Sequence, residues 1–184
     1  MEIQIFAEGN DIKFLKDYIS FLDLPVSRLL NDKTDGWTKL RFVKGKFEEA
    51  TNKGVKNLVV FDANGNFAQR SLDINTEKVN LQINFELFLF PNNITTGMVE
   101  TLLIDIIPES KKPLLACFDD YCLNIHKINP DIKFSLKSKF FAYLEATEQP
   151  LNMEKINFKN EQFWDLNHPA MNNLKSFLFN NITI

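Results

Sequence analysis

Apolar residues along the chain keep two spacings, and the change from one to the other divides it. Residues 2–7, EIQIFA, are a short β-branched and aromatic run that predicts a strand. Beyond Gly9 the spacing becomes helical: Ile12, Leu15, Tyr18, Ile19 and Leu22 recur on one face, with Lys13, Lys16 and Asp17 on the other. Asp11 is placed to cap that helix. Trp37 to Val43 predicts a second strand, and KFEEATNKG a short helix closing at Gly54. Residues 58–61, Leu-Val-Val-Phe, are apolar on both faces, as in a central parallel strand covered by helices on each side. Asn66 to Asn80 reads as a polar helical crossover, and QINFELFLF, residues 82–90, as a further strand stopped by Pro91-Asn92-Asn93. Met98 to Ile107 returns to helical spacing.

Strands joined by connections of a dozen or more helical residues pair in parallel through right-handed crossovers, so the first half predicts an α/β sheet flanked by helices. After Pro108 the pattern is helical throughout. ESKKPLLACFDDYCLNIHKI, FSLKSKFFAYLEAT and PAMNNLKSFLF carry Phe134, Phe140, Phe141, Leu144, Leu174, Phe177 and Leu178 as their expected inward faces. The expected organisation is one domain over 1–184: an α/β core over 1–107 and a helical extension over 108–184 packed on it.

Composition changes this picture little. The 184 residues are 45% hydrophobic and include 18 Phe, enough for a ring-rich core that folds alone. A net charge of −3, from 21 basic and 24 acidic residues, excludes the footprint of a general nucleic-acid coat protein and leaves room for a local basic face. Cys117 and Cys122 lie five apart on one predicted helix, match no metal pattern, and read as buried thiols of a reducing compartment. MEIQIFAEGND has no basic stretch leading into an apolar one, and no apolar run approaches the ~20 residues of a membrane helix. A soluble, cytoplasmic chain is the expectation.

Parallel strands place their carboxyl ends on one edge, where open α/β sheets bind ligands. Glu8 follows the first strand and Asp62 the central one, while Glu100 lies near the start of the helix after the strand over 82–90. Carboxylates gathered this way suit a hard divalent cation such as magnesium. A plainer reading stands beside this one. Asp-Ala-Asn-Gly is a good turn, and Glu100 also suits a solvated first-turn acid favoured by the helix dipole.

FAEGNDIKFL, then VVFDANGNF, then FLFPNNITTGMVETLL resemble a bacterial family of small TOPRIM-like proteins of unknown function. The likeness runs on through KSKFFAYLEA and FWDLNHPAMNNLKSFL, almost the whole chain. It implies a TOPRIM-like, Rossmann-like fold related to that of the overcoming-lysogenization-defect nucleases. In such domains an acid after the first strand and an Asp-x-Asp pair after a later one hold magnesium. By that resemblance Glu8 is ligand or general base, Asp62 opens the Asp-x-Asp pair, and Glu100 matches the helix glutamate of those nucleases. Asn64 stands where the pair has its second Asp. One fewer formal charge about 4 Å from a cation is worth roughly 1–4 kcal/mol, so the metal, magnesium or manganese, is expected to be weakly held. The relatives' next acid lies four residues after the glutamate, whereas Asp11 lies three after Glu8.

Lys137 and Lys139 lie where related nucleases carry a lysine that neutralises the transition state; a solvated helix face is the alternative. His126 and His168 fall in no ligand spacing, Gly9 and Gly65 are too isolated for a phosphate loop, and Trp164-Asp165 reads as packing followed by a turn. The function expected is magnesium-dependent phosphoryl transfer on DNA or RNA, nuclease-like, with a separately encoded protein as partner. The alternative is a TOPRIM-like binding or regulatory module without catalysis.

Overall fold

A computed structural model describes residues 2–9, 11–25, 28–34 and 36–182, the segment 28–34 by its backbone. Its described strands are β1 (Glu2–Glu8), β2 (Arg28–Thr34), β3 (Lys56–Asp62) and β4 (Glu86–Phe90), all parallel, in the order β2-β1-β3-β4. The helices are α1 (Asp11–Phe21), α2 (Lys44–Asn52), α3 (Phe67–Leu81), α4 (Val99–Asp105), α5 (Lys112–Ile128), α6 (Leu136–Ala146) and α7 (Asn172–Ile182). The fold is α/β, with its C-terminal half helical. No helix among the described residues is long and apolar enough to cross a membrane.

The double-sided apolar character of β3 has a direct cause. Leu58 and Val60 enter a core with Ile3, Ile5, Phe88 and Phe90 against α1, α4, α6 and α7, while Val59 and Phe61 enter another with Phe6, Phe47 and Ile74 beneath α2 and α3. All four of these β3 side chains have no exposed surface, and each contributes about 1.5–3 kcal/mol of burial. The helical half joins the first core through Trp164, which is ringed by Phe158 at 5.3 Å, Tyr143 at 5.6 Å and Phe140 at 6.1 Å. Asp165 makes a local turn, accepting from the Asn167 N–H at 3.0 Å.

Several sequence expectations are corrected. Trp37–Val43 is a 3-10 helix, not a strand. Trp37, Leu40 and Val43 recur every third residue and face the second core, the period of that helix. The strand beside β1 is instead Arg28–Thr34, an edge strand that needs no continuous apolar run. In QINFELFLF only Glu86–Phe90 is strand, because Gln82, in the left-handed conformation at φ 55°, ends α3. Phe141 is 40% exposed although Phe140 beside it is fully buried, since adjacent helix positions point about 100° apart. Both cysteines sit on α5, which projects beyond the core after Leu115, so Cys117 is exposed and Cys122 half-exposed rather than buried.

Candidate functional site

Ala7 of β1 is paired with Val60 of β3, so Glu8 and Asp62 leave the sheet at the same edge on neighbouring strands. Asp11, at the start of α1, and Glu100, in the first turn of α4, line the same cleft of about 580 Å³. Four carboxyl groups, carried by β1, α1, β3 and α4, thus line one cleft. Lys137 of α6 also lines the cleft, its Nζ 3.4 Å from Glu100 Oε1.

Asp62 resolves the choice between turn residue and cleft residue in an unexpected way. Its Oδ1 accepts the Val99 N–H at 2.8 Å, 37 residues away, and so fixes the start of α4 against the end of β3. That bond brings Glu100 into the cleft. The neighbouring loop is held by a reciprocal pair of backbone bonds between Asn64 and Gly97, at 2.7 and 2.9 Å. Gly97 is required there: a Cβ would lie 2.8 Å from Thr101 Oγ1 and 3.0 Å from Pro91 Cδ, and its φ is 143°.

Burial and like charge act together on these acids. Asp11 is raised to about 8, first by desolvation and then by Asp62, Glu100 and Glu8. Asp62 is raised to about 7 by desolvation and by Glu8 and Glu100, against the lowering effect of the Val99 N–H. Desolvation also raises Glu8, opposed by Arg70 and Lys137. The Lys137 ammonium is raised, chiefly by the Glu100 carboxylate. Glu100 is 5% exposed, and its Oε2 is buried without a hydrogen-bond partner. Such an atom carries a desolvation penalty of ~1–3 kcal/mol or more for a charged group.

The structure therefore brings together Glu8, Asp62, Glu100 and Lys137 and leaves two predicted residues outside. Asn64 does not line the cleft: it is left-handed at φ 54° and its backbone is committed to Gly97. Lys139 faces α5, bonded to Asp119 Oδ2 at 2.7 Å. Lys137 and Lys139 are two positions apart, which places them on different sides of α6.

Three residues of the site were not assigned to it from sequence. Asp11 was read as a cap, yet it is 8% exposed and lines the cleft. Arg70 acts on Glu8 from the first turns of α3, 6.0 Å from the Trp37 ring. Its signal is that no other Lys or Arg occurs between residues 57 and 77. Phe141, one turn after Lys137, also borders the cleft.

The donor chemistry suits a hard cation, given four carboxyl groups and an unpartnered Glu100 oxygen, with neither Cys nor His lining the cleft. Among the described residues, however, no three His, Cys, Asp or Glu side chains are already grouped as metal ligands. Binding would require these carboxylates to turn inward. No curated protein and no solved structure matches the chain. One family model matches residues 4–182, and on that match the chain belongs to the family described as protein of unknown function (DUF3226).

Proposed function

We propose that this protein is a divalent-cation-dependent phosphoryl-transfer enzyme, a TOPRIM-like nuclease acting on DNA or RNA. The observation that carries the reading is the convergence of Glu8, Asp11, Asp62 and Glu100 at the carboxyl edge, with Glu100 Oε2 buried and unpartnered. Magnesium or manganese would be held by Asp62 and Glu100, with Glu8 or Asp11 completing the set. Bound there, the ion would supply Lewis-acid polarisation of a phosphodiester oxygen.

The chain's own groups have separable roles in this reading. Glu8 lines the cleft at the end of β1 and can take a proton from attacking water, its pKa raised by burial in the direction a general base needs, while Asp62 is committed to the Val99 N–H. Lys137 lines the cleft and can neutralise charge on the transferring phosphoryl group. Arg70 offers a further cation beside Glu8. Asp62 fixes α4 and so positions Glu100.

A second reading, a non-catalytic binding or regulatory module on the same scaffold, has its own support. The acids are not grouped as ligands, and Lys137 already has Glu100 as a partner. Calorimetric titration with magnesium and manganese, paired with a nicking assay on supercoiled plasmid, separates the two. Catalysis predicts metal binding at millimolar concentration or below and nicking that falls about 100-fold or more in Asp62→Ala and in the isosteric Glu100→Gln. Metal binding without nicking favours the module. No binding at millimolar metal, with cleavage no greater than that of Asp62→Ala, overturns the enzyme.

A further inference from the structure

The wall of the cleft beyond Lys137 is apolar, and the phosphoryl chemistry makes no use of it. Phe141 is 40% exposed and Leu151 47% exposed, and both line the cleft. Phe141 lies four residues after Lys137 on α6, so ring and ammonium share one helix face a turn apart. The backbone under the ring is firmly held: Phe140 is fully buried against Trp164 and touches the Phe141 ring at 5.9 Å between centroids. The segment carrying Leu151 is anchored nearby, with Met153 and Ile156 buried and the Phe158 N–H donating to Asp17 Oδ2 at 3.1 Å.

We infer that Phe141 and Leu151 form a stacking platform for an unpaired nucleobase, so that the cleft takes a single-stranded nucleic acid in preference to a duplex. This rests on the phosphoryl-transfer reading and names its substrate class. Aromatic rings interleaved with a cation are how single strands are held without sequence preference, because every base offers a π-face while the cation contacts the adjoining phosphate. Bases in a duplex are stacked on one another and offer no such face. A net charge of −3 supplies no broad basic surface for a long double-stranded backbone, so stacking must carry much of the affinity. The cleft's volume of about 580 Å³ falls in the ~300–1,000 Å³ range of small-ligand sites, suited to a nucleotide or a strand end.

The test uses the full chain with manganese and a short single-stranded oligodeoxynucleotide carrying 2-aminopurine, whose fluorescence is quenched by stacking. Wild-type protein should bind and quench the probe. Phe141→Ala should weaken binding roughly 5- to 150-fold and lose the quench, while Phe141→Trp retains both. Calorimetry should give the same manganese affinity for all three proteins. If Phe141→Ala binds as tightly as wild type, or the same sequence in duplex form binds as tightly as the single strand, the platform is wrong. Failure of the wild type to bind manganese would count against the acid cluster alone, because a quench lost only in Phe141→Ala still upholds the platform.

Discussion

The two edges of the sheet bury polar side chains in opposite ways. At the amino edge Gln4 and Asn57 are neutral and bonded. Gln4 Nε2 donates to Lys46 O at 3.2 Å and Asn57 Oδ1 at 3.0 Å, and Asn57 Nδ2 meets Phe47 O, Thr51 Oγ1 and Asn84 O at 3.1–3.2 Å. The carboxyl edge instead gathers four acids, raises Asp11 and Asp62 to about 8 and about 7, and leaves Glu100 Oε2 without a partner. A network with its donors and acceptors paired ties α2 to the strands and stabilises the fold. A cluster of like charges does the reverse, and its presence makes sense when something other than the fold compensates it.

The largest expected effect is at the satisfied edge. Asn57→Leu keeps the approximate shape and leaves Gln4, Phe47 O and Asn84 O short of partners, so urea denaturation should show a loss of about 3 kcal/mol. A loss below about 1 kcal/mol would mean that water replaces the amide, and the contrast between the edges would weaken. The next effect is the pH dependence of the acid edge in chelator. Asp11 and Asp62 keep protons in the folded chain up to about 8 and about 7, while their ordinary value is 3.8. Between those limits the folded state binds more protons than the unfolded one, so stability falls as pH rises from about 4 to about 8. Magnesium should reduce that fall at the upper end by favouring the carboxylates. A stability that rises through this window would remove the case for an unpaired cluster.

Asp11→Asn tests the same edge with one charge removed. Metal-free protein at pH above 8 should gain about 1 kcal/mol or more, with no gain near pH 3, where Asp11 is protonated in both the folded and the unfolded chain. A gain equal at both pH values would assign the effect to packing rather than charge.

These contrasts also show which features a sequence can disclose. Glu8 and Asp62 are legible because each ends an apolar run whose strand character is local, and parallel pairing then fixes their common edge. Glu100 is legible because helical spacing resumes at Met98, two residues before it. The position of Asn64 is not, since its left-handed backbone and paired bonds to Gly97 depend on a loop 33 residues further on. Trp37–Val43 has strand-like composition, and the three-residue repeat that makes it 3-10 gains meaning only once the core beneath is known. Lys137 and Phe141 reach the cleft through packing of the C-terminal half, which no local pattern specifies.

The smallest stability effect sharpens the difference between a surface ion pair and an ion pair of the cleft within one helix. Lys139 pairs with Asp119, itself 56% exposed, so Lys139→Ala should change stability by less than about 0.5 kcal/mol and leave manganese binding unchanged. Lys137 lies two residues earlier, and its ammonium acts on Glu100, Asp62 and Asp11. Lys137→Ala should therefore shift the stability midpoint of the acid edge towards higher pH, because the remaining carboxyls lose the cation that helps them ionise. Measured as paired urea titrations across pH, the two variants separate a local field from a general one. If Lys139→Ala moves the midpoint as far as Lys137→Ala, the acids respond to net charge, and the cleft loses its claim to a cation placed for one purpose.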